Sequence, residues 1–291
     1  MHFLVMITAV ILAYLIRIIS QHPHFKKQKS WSLSLFFFIT PVLLVLMSSV
    51  AIVTMGYQGQ MWGIEATLIS YILAWCCLGY GVINLFTYYL EIKKISIRVN
   101  QLAEENVLGN QAKVLNTSFP YAGLMGFYPG EKKSLTDFFQ SHLVLSKGLI
   151  NLLSQEHLQA VITHEKAHQK HKDPLIFFCL SYCKNITFWL PNNEKLWNDL
   201  ILLRELRADN TASKSVDFLL LAESLLMMTQ EAMEQPSPID YDFICTFMDN
   251  RLNERIEALI NQDNSAHYIN WYQLSWMMVV FIPFIIIPFH Q

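Results

Sequence analysis

Charge is what this chain is short of. Asp, Glu, Lys and Arg make up only 15% of its 291 residues, against about a quarter in an ordinary soluble domain. Neither sign prevails: the formal net charge is −2, so no electrostatic footprint for nucleic acid exists and no direct nucleic-acid partner is expected. Cysteine is scarce too. Cys76, Cys77, Cys179, Cys183 and Cys245 form no C-x-x-C pair, which argues against a disulfide framework. Cys179 and Cys183 share a helical spacing and read as small core residues.

What is abundant is apolar, and it comes in blocks. Hydrophobic residues are 53% of the chain, gathered into Phe3–Ile19, Leu33–Met55 around Pro41, Ala66–Leu90 and Leu274–Phe289, the last opened by Trp271, Tyr272 and Trp276. Each predicts a transmembrane helix, with aromatic residues at an interface. The first block lacks a basic start and a small-residue cleavage site, so it reads as an uncleaved span. Lys26, Lys27 and Lys29 follow the first block and Lys93, Lys94 and Arg98 follow the third, while GYQGQMWG between the second and third carries no lysine or arginine. Positive loops face the cytoplasm. Both termini are therefore expected outside, and the region 91–270 inside.

That region carries HEKAH, at His164, Glu165, Lys166, Ala167 and His168. On a helix the two histidines lie one turn apart on one face and can share a zinc ion, with Glu165 placed to take a proton from a water on that ion. Ser154 is a predicted cap, Glu156 suits the first turn, and Asp173-Pro174 is a predicted stop. A third protein ligand is needed. ELRAD supplies it as Glu205, on a helix predicted to start near Asn193, with Asp209 on the same face to hold the free nitrogen of a ligating histidine. On a wet helix those two acids would instead pair with Arg204, Arg207 or Lys214.

The apolar stretch Leu175–Leu190 lies between the two halves of this site. Crossing there would strand Glu205 on the far side of the membrane from His164, so the stretch is expected to be non-spanning or re-entrant. Upstream, Ile95–Val99, Lys113–Leu115, Gly123–Tyr128 and His142–Leu145 read as strands. SHLVLS at 141–146 is the expected exposed edge for an extended substrate, with His142 a candidate polar group at the cleft. His171 shares a face with His168, although the site is complete without it.

The run SHLVLSKGLINLLSQEHLQAVITHEKAHQKHKDPL followed by ELRADN resembles the BlaR/MecR-type antirepressor membrane metallopeptidases, over about Phe3 to Ile260. It is similar, more distantly, to the CAAX prenyl protease and heat-shock membrane protease group, which shares this gluzincin arrangement. The resemblance implies zinc on His164, His168 and Glu205 with Glu165 as general base. DNRLNERIEALI resembles a later helix of related peptidases, in which Arg255 would support Glu205 or polarise the scissile carbonyl. The beta-lactam sensors carry a further sensor domain after their last span. The sequence here ends at Gln291, so antibiotic sensing is not expected.

The expected architecture is a mainly α membrane protein: a three-helix transmembrane region (1–90), an inserted cytoplasmic α+β zinc metallopeptidase domain (91–270), and a fourth transmembrane helix (271–291). The expected activity is zinc-dependent peptide-bond hydrolysis at the cytoplasmic face of a bacterial inner membrane. The expected partners are the lipid bilayer and a protein or peptide substrate, with a transcriptional repressor or the protein's own loops implied by the resemblance; a homo-oligomer is left open. The rival readings are a non-enzymatic membrane transducer or scaffold and a quality-control protease for membrane proteins.

Overall fold

The computed structural model describes residues 2–23, 25, 30–58, 60–61, 64–65, 67–104, 112–125, 141–234, 245–246, 251–261 and 271–289. It divides into two compact units, one of residues 1–88, 180–201 and 268–291, the other of 89–179 and 202–267.

The first unit contains α1 (His2–Ile19) and α2 (Trp31–Met55), together with most of the apolar part of α3 (Leu68–Leu102). A two-stranded ribbon, β1 (Gln60–Met61) with β2 (Ile64–Glu65), precedes α3. Ser30 caps α2 by accepting from the Leu33 amide. Three helices, His2–Ile19, Trp31–Met55 and Leu68–Ile95, are long and apolar enough to cross a membrane. Much of their apolar surface is exposed, including Leu4, Ile11, Ile69, Val82 and Phe86, as lipid-facing helices require. The fourth expected span differs. It is not one of those three: Trp271–Phe289 is a 3₁₀ helix containing Pro283 and Pro288. Prolines without an N–H remove the hydrogen bonds that an α-helix would need there.

The second unit is built on a five-stranded sheet in the order β3 (Ala103–Glu104), β4 (Ala112–Leu115), β6 (His142–Ser146), β5 (Ala122–Met125), β7 (Cys245–Thr246). Only the β4–β6 pairing is parallel. Two expectations fail here. Ile95–Val99 is not a strand but the continuation of α3; a helix that is already propagating, with no proline to stop it, overrides local β preference. SHLVLS is not an edge, since β6 is paired on both sides and everything after His142 in it is buried. An unbroken apolar LVL marks a strand covered on both faces, whereas an edge alternates. Residues 126–128 of the third expected strand lie outside the described residues.

From β6 the chain enters α4 (Lys147–Leu152) through Ser146, whose buried hydroxyl accepts from the amides of Leu149 and Tyr121. Gly148 is required: a Cβ there would stand 1.9 Å from the Ser118 carbonyl oxygen. Next come α5 (Gln155–Lys170), α6 (Asp173–Ile186), α7 (Asn193–Ala212), α8 (Phe218–Glu234) and α9 (Leu252–Ile260). Leu124, Leu143 and Leu145 of the sheet pack with Leu149, Val161 of α5 and Leu225 of α8. This core fixes α5 against the sheet and so positions the functional residues below.

Candidate metal centre

α5 forms where the sequence expects it. Ser154 caps it, accepting from the His157 amide, Glu156 occupies its first turn, and the chain leaves it through Lys172 at φ 56°. Its buried face bears His164, Glu165 and His168, each fully buried. At its C-terminal end Gln169 donates to the Ser141 carbonyl at 2.8 Å, tying the helix to the start of β6.

α7 brings in Glu205, also fully buried. His164 Nε2 and His168 Nε2 are 3.0 Å apart, His164 Nε2 and Glu205 Oε2 3.4 Å, and His168 Nε2 and Glu205 Oε1 3.6 Å. Ligands about 2.0–2.1 Å from a tetrahedral zinc stand roughly 3.3–3.4 Å from one another. The three separations bracket that edge. Among the described residues, this is the cluster of His, Cys, Asp and Glu side chains able to hold a metal ion.

Each histidine is aimed by a carboxylate behind it. Asp209 Oδ1 lies 2.8 Å from His164 Nδ1, and Asp173 Oδ2 lies 2.7 Å from His168 Nδ1. With Nδ1–H directed at a carboxylate, the Nε2 lone pair of each ring is left for a metal. The carboxylates are gripped in turn. Arg255 donates to both oxygens of Asp209 at 2.9 Å and stands 3.3 Å from Glu205 Oε2. Arg207 pairs with Asp173, while Arg204 reaches Glu205 Oε1 at 2.7 Å and stacks over the Phe177 ring.

The electrostatics favour a cation at the centre. Burial opposes ionisation of Glu205, but Arg204, His168 and Arg255 outweigh it and hold the carboxylate well below its usual range. Burial likewise opposes ionisation of Asp209, and Arg255 with His164 outweighs it. For His168 burial disfavours the charged ring, yet Glu205 and Asp173 push it up to about 10. Glu165 goes the other way: burial raises it, only partly countered by the two histidines. Neither of its buried oxygens has a hydrogen-bond partner among the described residues. Two imidazoles and a carboxylate at tetrahedral spacing, beside this buried carboxylate, fit a zinc ion with an open position.

The structure thus brings together His164, Glu165, His168, Glu205, Asp209 and Arg255. It does not bring in His142, which opens β6 half-buried opposite Met125 and lies outside the cluster. His171 is outside it too, with Nε2 2.9 Å from the Thr211 hydroxyl. Asp173 is the residue that sequence reasoning missed. Its place beside Pro174 reads as a helix stop, and the available signal was an acid five residues after the second histidine, ahead of a new helix. The arginine pairing weighed for ELRAD as a wet-helix trait is present, but it is buried and built into the site.

Residues 96–233 match the model of Peptidase family M48. That stretch contains His164, Glu165, His168, Glu205 and Asp209 and stops short of Arg255. The chain is also similar to a Protease HtpX homolog of Archaeoglobus fulgidus, at 28% identity over 144 residues. The alignment covers 45% of this chain and 43% of that protein, less than half of either. Both similarities are to peptidases, and each covers less than half of this chain. They point to the more distant of the two resemblances read from the sequence and do not single out the BlaR/MecR type.

Proposed function

We propose that this protein is an integral membrane zinc metalloendopeptidase, with His164, His168 and Glu205 holding the metal and Glu165 acting as general base. The observation that carries the reading is the buried Glu165 carboxylate, without a hydrogen-bond partner among the described residues and adjacent to a ligand set at tetrahedral spacing. Zinc, when bound there, would acidify a water and polarise the scissile carbonyl. The rest is done by the chain's own groups. Burial raises the affinity of Glu165 for a proton, the direction that suits a general base. Its Oε takes the proton released in the attack and passes it to the departing amine nitrogen. Asp209 and Asp173 hold the histidine rings. Arg255 is a positioning residue, since its guanidinium is spent on Asp209 and Glu205 and not left to a substrate carbonyl.

The loop charges support a cytoplasmic active site at a bacterial inner membrane. The substrate is a protein or peptide, and the antirepressor resemblance extends it to a transcriptional repressor or the protein's own loops. The test is Glu165→Gln in full-length protein in detergent, with zinc measured by elemental analysis and cleavage of an unstructured protein followed by mass spectrometry. Zinc stays at the wild-type level, and cleavage falls by about 10²–10⁴-fold or more, the scale of general-base loss. Undiminished cleavage would move the base elsewhere.

A further inference from the structure

The turn between α6 and α7, residues 187–192, packs at the middle of the apolar helices and not at their ends. A small cleft of about 110 Å³ is lined by Pro41 and Val45 of α2, Cys77 and Gly81 of α3, and Ile186 and Trp189 beside the turn. Leu43 is the midpoint of Trp31–Met55, and Gly81 adjoins the midpoint of Leu68–Ile95. The Tyr182 hydroxyl donates to the Gly81 carbonyl at 3.0 Å. The Trp189 ring lies 6.2 Å from that of Tyr14, itself about 5 Å along α1 from that helix's centre. All these residues belong to the first compact unit. α6, at 14 residues, is about 21 Å long, too short to cross a hydrocarbon layer of about 30 Å.

We infer that α6 and α7 form a re-entrant hairpin whose turn lies at hydrocarbon depth, with Phe188 in contact with lipid. This rests on the membrane placement in the proposed function, not on its chemistry. Irregular backbone survives at that depth only where its polar groups are answered by protein, and this turn is built that way. The Leu190 amide donates to Thr187 O at 2.9 Å and the Leu196 amide to Asn192 O at 3.0 Å. The Trp189 indole N–H donates to Ile186 O at 3.1 Å. Asn193 joins the two arms, donating to Lys184 O at 2.9 Å and accepting from Thr187 and from Arg17 of α1 at 3.3 Å each. Asn192, at φ 60°, donates to Arg17 O at 3.2 Å. The charges on the arms pair with one another, Lys184 with Glu194 at 3.0 Å. Set against this internal satisfaction, Phe188 is 70% exposed, which suits hydrocarbon and not water.

The test is depth measurement on the full chain in phosphatidylcholine–phosphatidylglycerol vesicles. A spin label at Phe188→Cys, in a background with the native cysteines replaced by alanine, should collide with oxygen in preference to a water-soluble nickel chelate. Its ratio should follow a lipid control at Ile83→Cys and not an aqueous one at Gln58→Cys. An aqueous ratio overturns the hairpin and leaves the metal site untouched. Lys170→Cys and Lys214→Cys, before and after the hairpin, should react with an impermeant maleimide from the same side. Reaction from opposite sides would mean a crossing and would overturn the hairpin and the shared metal site together. Hydroxyl-radical footprinting of the unsubstituted protein in the same vesicles removes dependence on the variants: Phe188 and Trp189 stay unoxidised, and their oxidation overturns the inference.

Discussion

Asp209 and His164 lie side by side, carboxylate Oδ1 to ring Nδ1 at 2.8 Å, both buried. The contact sets which nitrogen of His164 can face Glu205. Asp209→Asn keeps the shape and weakens the acceptor. Loss of such a partner typically costs about 10–100-fold in metal affinity. Competition against a chelator of known affinity should show a loss of that size, with zinc still bound at saturation. Unchanged affinity would remove Asp209 from the site.

Arg255 is the hub behind that contact, fully buried with three contacts to two carboxylates. Arg255→Met is close in volume but takes from buried Asp209 its guanidinium partner and leaves it only the His164 ring. Removing one member of a buried pair costs about 3–5 kcal/mol. The variant should unfold at clearly lower temperature by circular dichroism in detergent, and Arg255→Met with Asp209→Leu should regain much of the loss. Additive losses would mean that the two residues are not coupled.

His171 is distinguished from the ligands by its surroundings. Burial and the nearby Arg207 guanidinium lower its pKa from the usual histidine value. A depressed folded value means that the ring favours the folded state when neutral. Its contribution is present above the unfolded value near 6.5 and is lost as pH falls through the lower folded value. NMR titration should place its midpoint below the usual histidine value of about 6.5, and His171→Ala should keep full zinc. Loss of zinc would make His171 a ligand.

HEKAH and ELRAD were legible because their spacings translate directly into a shared helix face, and Ser154 and the start at Asn193 because caps are local. What depended on neighbours was not. Ile95–Val99 has strand chemistry but inherits a helix from the 27 residues of α3 before it. SHLVLS looks like an edge until β4 and β5 are seen on either side. Asp173 has two local readings, and only the approach of His168 at 2.7 Å chooses between them. The 3₁₀ geometry of Trp271–Phe289 was not legible either, because apolarity marks the segment and carries no information on the type of helix that Pro283 and Pro288 permit.

Orientation in the membrane is the remaining expectation that charge alone supports. Lys26, Lys27 and Lys29 precede α2, Lys93 and Lys94 follow the apolar part of α3, and the loop joining these two helices has neither lysine nor arginine. The positive-inside rule counts such residues close to the span ends. Gln58 and His22 are both exposed, one on each side of α2. Cysteine at Gln58 should react with an impermeant thiol reagent on intact cells, and cysteine at His22 only after the membrane is opened. The opposite pattern would put HEKAH outside, where a cytoplasmic repressor cannot reach it. The metal site would stand unchanged, and the substrate would have to be sought on the other face of the membrane.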